Sequence, residues 1–264
     1  MKKIVRNVAA LVITGMCAAL VFAGGSKDSG TELDRIKKAG VLKVGVKEDV
    51  PKFGYLNPAT NKHEGFEIDL AKAVAKSILG DENAIQFTGV SAKTRGPLLD
   101  TGELDVVFAT FTVTEERKKS YEFSDIYYTD AVGLMVKKDS GIKSFADLEG
   151  KTIGVAQSAT TKKTLTEAAE KTGLKVKFSE YATYPEIKSA LDSGRIDCFS
   201  VDQAILMGYM ENSTEILPDK FALQPYGAAI KKGNTDLLKA VNDVISQLNE
   251  SGELEKLMVK NGLK

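Results

Sequence analysis

The sequence predicts an α/β protein of two similar lobes joined by a two-stranded hinge. Three observations carry this. A segment recurs: Leu99-Asp100-Thr101-Gly102-Glu103-Leu104-Asp105-Val106-Val107-Phe108-Ala109-Thr110 is echoed by Leu191-Asp192-Ser193-Gly194-Arg195-Ile196-Asp197-Cys198-Phe199-Ser200-Val201-Asp202. Each copy reads as a helix end, a Gly stop and a short apolar strand. Short apolar runs then alternate with amphipathic stretches, the pattern of mostly parallel sheets flanked by helices. Finally, helices follow the second lobe and are placed to pack back on the first, which requires two crossings, near 132–138 and 225–231.

A chain of 264 residues is long enough for two modest domains. Residues 1–23 hold Lys2, Lys3 and Arg6, an apolar run from Val8 to Phe22, and small residues at the cleavage positions, the pattern of a secretory signal. The run is shorter than a membrane span and is interrupted by Thr14 and Gly15. Position 25 is Gly where a lipid-modified Cys would stand, so a free soluble product is expected. Residues 24–30 read as a tether.

Lobe 1 is expected over 31–133 plus 228–264, and lobe 2 over 134–227. A helix is predicted over Leu33–Lys38 and a strand over Val41–Val46. Residues 51–64 hold two prolines and several turn formers and read as a loop. Phe66, Leu70, Val74 and Ile78 fall on one face of a helix that Gly80 stops. Strands follow at Ile85–Thr88 and Asp105–Ala109, a helix starts near Thr114, and Val132–Val136 is an extended crossing. In lobe 2 a short helix (Ser144–Leu148) precedes a strand at Thr152–Val155. A helix at Thr164–Lys171, a strand at Val176–Phe178, a helix at Pro185–Leu191 and the repeated strand at Ile196–Val201 come next. Gln203–Met210 is helical, Ala228–Ile230 is the second crossing, and Leu237–Leu248 with Leu254–Val259 are the closing helices.

Lys+Arg and Asp+Glu both number 36, so no charge bias points to nucleic acid. Beyond the signal one cysteine, Cys198, and one histidine, His63, remain, too few for a disulfide or for any convincing metal or nucleophile constellation. No cofactor is expected.

In open α/β sheets, ligands sit outside the C-terminal ends of strands, the place of Thr110 and Asp202. Asp202 could take an ammonium group or cap the helix behind it. Arg117 lies in the first turn of a helix capped by the Thr112–Thr114 segment, where a cation opposes the helix dipole. An anion bound at that helix start would explain it; a solvated basic face would too. Arg95 begins another helix, and Lys47 follows the first strand; each alone reads equally as a surface charge. Thr160 and Thr161 open a hydroxyl-rich helix start that binds a carboxylate or simply caps. Phe53 and Tyr55 could cover an aliphatic ligand stem or belong to the core.

Gly65-Phe66-Glu67-Ile68-Asp69-Leu70-Ala71 resembles the signature helix start of the family-3 extracellular solute-binding proteins. Thr112–Arg117, Phe123-Ser124-Asp125-Ile126-Tyr127-Tyr128, Ser144–Gly154 and the strand ending at Asp202 resemble further motifs of that family, in order. Within it, Ala92–Asp100 and Ala159–Lys163 look like the aspartate/glutamate-binding branch. The resemblance implies the type II periplasmic-binding-protein fold, and a monomer that captures an acidic amino acid and delivers it to the permease of an ABC importer. The site would lie on the periplasmic or extracellular face. By the same resemblance Arg117, the Thr112 N–H and Thr160 or Thr161 bind the α-carboxylate. Asp202, helped by Thr110, binds the ammonium, and Arg95 with Lys47 faces a side-chain carboxylate. Ala159, Glu115 and Val50-Pro51-Lys52 depart from the family's usual Gly, Pro and Pro-Pro. Other readings are another polar amino acid (glutamine, cysteine, histidine), an enzyme like cyclohexadienyl dehydratase, and an adhesin or sensor domain.

Overall fold

A computed structural model describes residues 30–264. The expected signal (1–23) and residues 24–29 of the tether lie outside the described residues. Helix α1 (Glu32–Ala39) opens on a capping box between Thr31 and Asp34 and stops at Gly40. Strand β1 (Leu42–Val46) follows. Residues 51–64 are not the plain loop expected. They contribute β3 (Gly54–Asn57) and β4 (Lys62–Glu64), which with β2 (Asp49–Val50) make a small antiparallel sheet. Pro51 and Pro58 sit at its bends, and its strands are too short and polar to show a period.

Helix α2 (Phe66–Leu79) buries Phe66, Leu70 and Val74 at helical spacing. Each such burial is worth roughly 1.5–3 kcal/mol. β5 (Ile85–Gly89), α3 (Arg95–Asp100), β6 (Val106–Phe108), α4 (Glu115–Lys118) and β7 (Tyr121–Phe123) complete the first pass through lobe 1. The chain then crosses on β8 (Tyr128–Lys137), which starts four residues before the expected crossing. Lobe 2 follows with β9 (Thr152–Ala156), α5 (Thr161–Thr172), β10 (Lys177–Tyr181), α6 (Tyr184–Asp192), β11 (Cys198–Asp202), α7 (Gln203–Gly208) and β12 (Thr214–Ile216). It returns on β13 (Phe221–Tyr226) to β14 (Ala229–Lys231), α8 (Thr235–Glu250) and α9 (Glu253–Lys260).

The lobe 1 sheet has the order β5-β1-β6-β14-β7, and the lobe 2 sheet β10-β9-β11-β8-β12 with β13 against β8. In each, the strands joined by helices are parallel, while the strands on the crossings are antiparallel. The sheets are therefore mixed. Chain that crosses and comes straight back can only pair antiparallel, and β8 and β13 do so from Tyr128↔Tyr226 to Phe221↔Val132. Helices α8 and α9 pack against α2 in lobe 1.

The sequence repeat is a structural repeat. Gly102 and Gly194 turn the two helix ends in the left-handed region, at φ 78° and 73°. Three residues later Asp105 accepts the Lys43 N–H at 2.8 Å, and Asp197 accepts the Thr152 N–H at 2.9 Å. The recurring Asp thus ties the start of β6 to β1 in lobe 1 and the start of β11 to β9 in lobe 2. Phe53, Phe66, Tyr128 and Tyr226 form an aromatic cluster where the lobes meet the hinge.

Candidate ligand-binding site

The strand ends of the two lobes face each other across a narrow, almost closed cleft that leaves a cavity of about 10 Å³. Arg95, Thr110 and Thr112 of lobe 1 line it, with Thr160, Thr161 and Asp202 of lobe 2. Tyr184, Ala159 and Val201 complete the wall. Tyr184 escapes sequence reading because the helix pattern begins at Pro185, yet it follows the C-terminal end of β10, a position where sites form.

The lobes touch over this cavity. Arg117 donates Nη2 to the Ser158 carbonyl at 3.2 Å, and the Tyr184 N–H meets Asp49 Oδ2 at 3.3 Å. The Tyr209 hydroxyl also donates to the Asp49 carbonyl.

Asp202 stands at the N-cap of α7 but makes no side-chain cap bond. Its Oδ2 instead accepts the Tyr226 hydroxyl. Burial pushes its carboxyl up to about 7, against the lowering effect of that hydrogen bond. Thr160, at the N-cap of α5, likewise leaves its helix uncapped and turns its hydroxyl to Gln224. Thr110 holds φ at 45°, and its hydroxyl oxygen is buried without a partner. Its N–H donates to Glu67 Oε1 at 2.6 Å. The same oxygen accepts the Tyr127 hydroxyl, and burial drives Glu67 up to about 7.

Arg95 is 3% exposed and donates to the carbonyls of Ala109 at 2.5 Å and Thr110 at 3.3 Å. Its Nε is buried without a partner. Burial disfavours its charge, though a guanidinium stays protonated. Arg117 lies outside the cavity wall, beside it, in an outer recess with Ser158 and Lys163. It donates Nη1 to the Thr112 carbonyl at 2.7 Å, and burial lowers it to about 9, still charged at neutral pH. Phe111 lies under both guanidiniums, at 3.7 Å and 4.8 Å from its ring centroid.

Lys47 is also buried beside the cavity rather than in its wall. It pairs with Asp49 at 2.9 Å and sits over the Tyr184 ring. Burial lowers its pKa, with Asp49 acting the other way. Phe53 is set back in the hinge aromatic cluster, against Tyr128 and Tyr226. Among the described residues, no group of His, Cys, Asp and Glu could hold a metal, and no helix is long and apolar enough to cross a membrane.

Two lobes, two β crossings and a polar cavity between strand ends make a clamshell for a small charged solute. Residues 42–264 match the model of the bacterial extracellular solute-binding proteins, family 3. The chain belongs to that family. A glutamine-binding protein of Geobacillus stearothermophilus is 41% identical over 214 residues, 80% of either chain. The ABC transporter glutamine-binding protein GlnH of Bacillus subtilis is 37% identical over 268 residues, 97% of either chain. The crystal structure of a cysteine-binding protein from Campylobacter jejuni superposes with a TM-score of 0.79 at 30% identity, covering 88% of this chain and 93% of that one. The type II periplasmic-binding-protein fold is thereby established. The names of the two sequence relatives do not point to the aspartate/glutamate branch that the local motifs resemble; both are named for glutamine.

Proposed function

We propose that this protein captures an amino acid between its lobes, outside the cytoplasm, and delivers it to the permease of an ABC importer. We further propose that the amino acid is dicarboxylic. One observation carries the finer reading: Arg95 is a buried cation whose hydrogen bonds go only to main-chain carbonyls. The carboxyls whose field reaches it, Glu67 and Asp202, are bonded to the Tyr127 and Tyr226 hydroxyls rather than to the guanidinium, and a ligand carboxylate would pair it directly. The Arg117 guanidinium likewise bonds only carbonyl oxygens, so two guanidiniums and one carboxyl, Asp202, which is bonded to the Tyr226 hydroxyl, flank the cavity. Aspartate and glutamate bring two carboxylates and one ammonium, the complementary set.

A second reading is glutamine. The relatives' names support it, and so does the Lys47–Asp49 pair, which cancels one cation of the acidic pocket. Glutamine would leave Arg95 without a direct ion-pair partner, facing an amide.

Calorimetric titration of protein unfolded and refolded to strip bound ligand decides between them, using aspartate, glutamate, glutamine and histidine. The expected result is tight binding of the two acids, with glutamine weaker by roughly 30-fold or more. Glutamine within threefold of glutamate would replace the first reading by the second.

A further inference from the structure

Gln224, on the returning crossing β13, takes no place in the cavity wall, yet two of that wall's hydroxyls end on it. Its side chain is buried, and its Oε1 accepts the Thr112 hydroxyl at 2.9 Å and the Thr160 hydroxyl at 2.8 Å. Thr112 comes from lobe 1 and Thr160 from the start of α5 in lobe 2. The amide's orientation is fixed independently. Its Nε2 donates to the Ala222 carbonyl at 2.9 Å, and a flipped amide would set oxygen against oxygen there. Both lone pairs of Oε1 are thus committed, one to each lobe.

The backbone around Gln224 is built to hold it still. Pro225 follows, and its carbonyl accepts the Val113 N–H at 2.8 Å. Tyr226 bridges to Thr112 and anchors Asp202 through its hydroxyl. The strand that carries Gln224 therefore touches the segments bearing Thr112, Thr160 and Asp202. A hinge strand that only needed to bend would not require a buried amide, whose desolvation must be met by such bonds.

We propose that Gln224 is a positioning residue of the binding site: by accepting the Thr112 and Thr160 hydroxyls on one oxygen it bridges the two lobes and fixes the segments that carry the cavity wall relative to each other in the closed form. This rests on the proposed capture of an amino acid between the two lobes. Gln224 then governs affinity without reaching the ligand, because it orders hydroxyls that would otherwise turn freely and be left unpaired in the closed protein.

The test is a mutant cycle read by calorimetry and stopped-flow with glutamate and glutamine. Gln224→Met keeps length and volume but removes the acceptor. It should weaken the preferred ligand by roughly tenfold, mainly through faster dissociation. In the Thr112→Val/Thr160→Val background the same change should cost less than about twofold, because the groups it acts through are gone. Thermal melting of each variant separates this from simple loss of fold. Unchanged or tighter binding by Gln224→Met overturns the proposal, as does an equal loss with and without the hydroxyls. If the wild type binds none of the amino acids, the binding function itself fails and this inference falls with it.

Discussion

The guanidinium of Arg95 lies 3.7 Å from the centroid of the Phe111 ring, while its Nη1 is tied to the Ala109 carbonyl. The ring and the carbonyl hold the cation in place, and neither neutralises it. Arg95→Met should therefore act on ligand charge more than on the fold. Aspartate and glutamate affinity should fall by a factor of 30 or more, roughly 2 kcal/mol, with glutamine changing much less. Calorimetry on the variant checks it; equal losses for acidic and neutral ligands would mean that Arg95 does not face the side chain.

Asp202 gives a prediction in pH. Its folded carboxyl is raised to about 7, above the ordinary value of 3.8. An acid raised by folding binds its proton more tightly in the folded chain. Its contribution to stability is present at low pH and is lost as pH rises from about 4 through 7. At pH 8 the ligand-free protein carries this buried charge, and Asp202→Asn should melt several degrees higher than wild type. Below about pH 4 the two should converge, and at pH 5 the gap should be well under its size at pH 8. The same variant should bind no amino acid, since the ammonium loses its counter-charge. Melting curves at both pH values, with a titration, test both halves.

Ligand affinity has its own pH slope with the opposite sense. A bound ammonium would draw the Asp202 carboxyl downward, so binding below pH 7 releases a proton. Affinity should fall toward tenfold per pH unit below 7 and stay flat above it. A slope that rises on acidification would assign the ammonium to another group.

Much of this was legible in the chain. The repeat marked β6 and β11, the spacing of Phe66, Leu70 and Val74 marked a buried helix face, and strand ends marked Thr110 and Asp202. What escaped is non-local or short. The β3–β4 hairpin is too brief to show a period. Glu67 sits inside a readable helix, but its bonds to Thr110 and Tyr127 span 43 and 60 residues. Gln224 and Asp49 each have one local partner, Ala222 and Lys47, but their bonds between lobes or across the hinge, to Thr112 and Thr160 and to Tyr184 and Tyr209, are ones no local pattern reports. Burial also separates equals: Arg95 and Lys93 look alike in sequence, yet only Arg95 is buried.

Glu67 should prove a stability residue. Its carboxylate satisfies the Thr110 N–H and the Tyr127 hydroxyl, both inside the protein. Glu67→Ala leaves both donors unpaired and opens a void, at a cost of about 2–4 kcal/mol. It also releases Thr110 from its left-handed backbone, so affinity should fall in step. Urea unfolding measures the first effect; an unchanged midpoint would show that water replaces the carboxylate.

Arg117 asks whether charge or shape matters beside the cavity. Its two terminal nitrogens reach the Thr112 carbonyl in lobe 1 and the Ser158 carbonyl in lobe 2. A lysine keeps the positive charge but offers a single ammonium in place of a planar fork. If Arg117 served only as a diffuse cation, Arg117→Lys would bind almost as well as wild type. The two-lobe geometry predicts otherwise: the variant should lose roughly 10- to 100-fold in affinity for every amino acid, without altering the ranking among them. Because one arm crosses between lobes, the loss should fall on the dissociation rate, as the closed form opens sooner. Stopped-flow dissociation against wild type reads this directly. A loss confined to the association rate would place Arg117 in steering the ligand toward the cleft, and the bridge to Ser158 would then carry no weight in holding it.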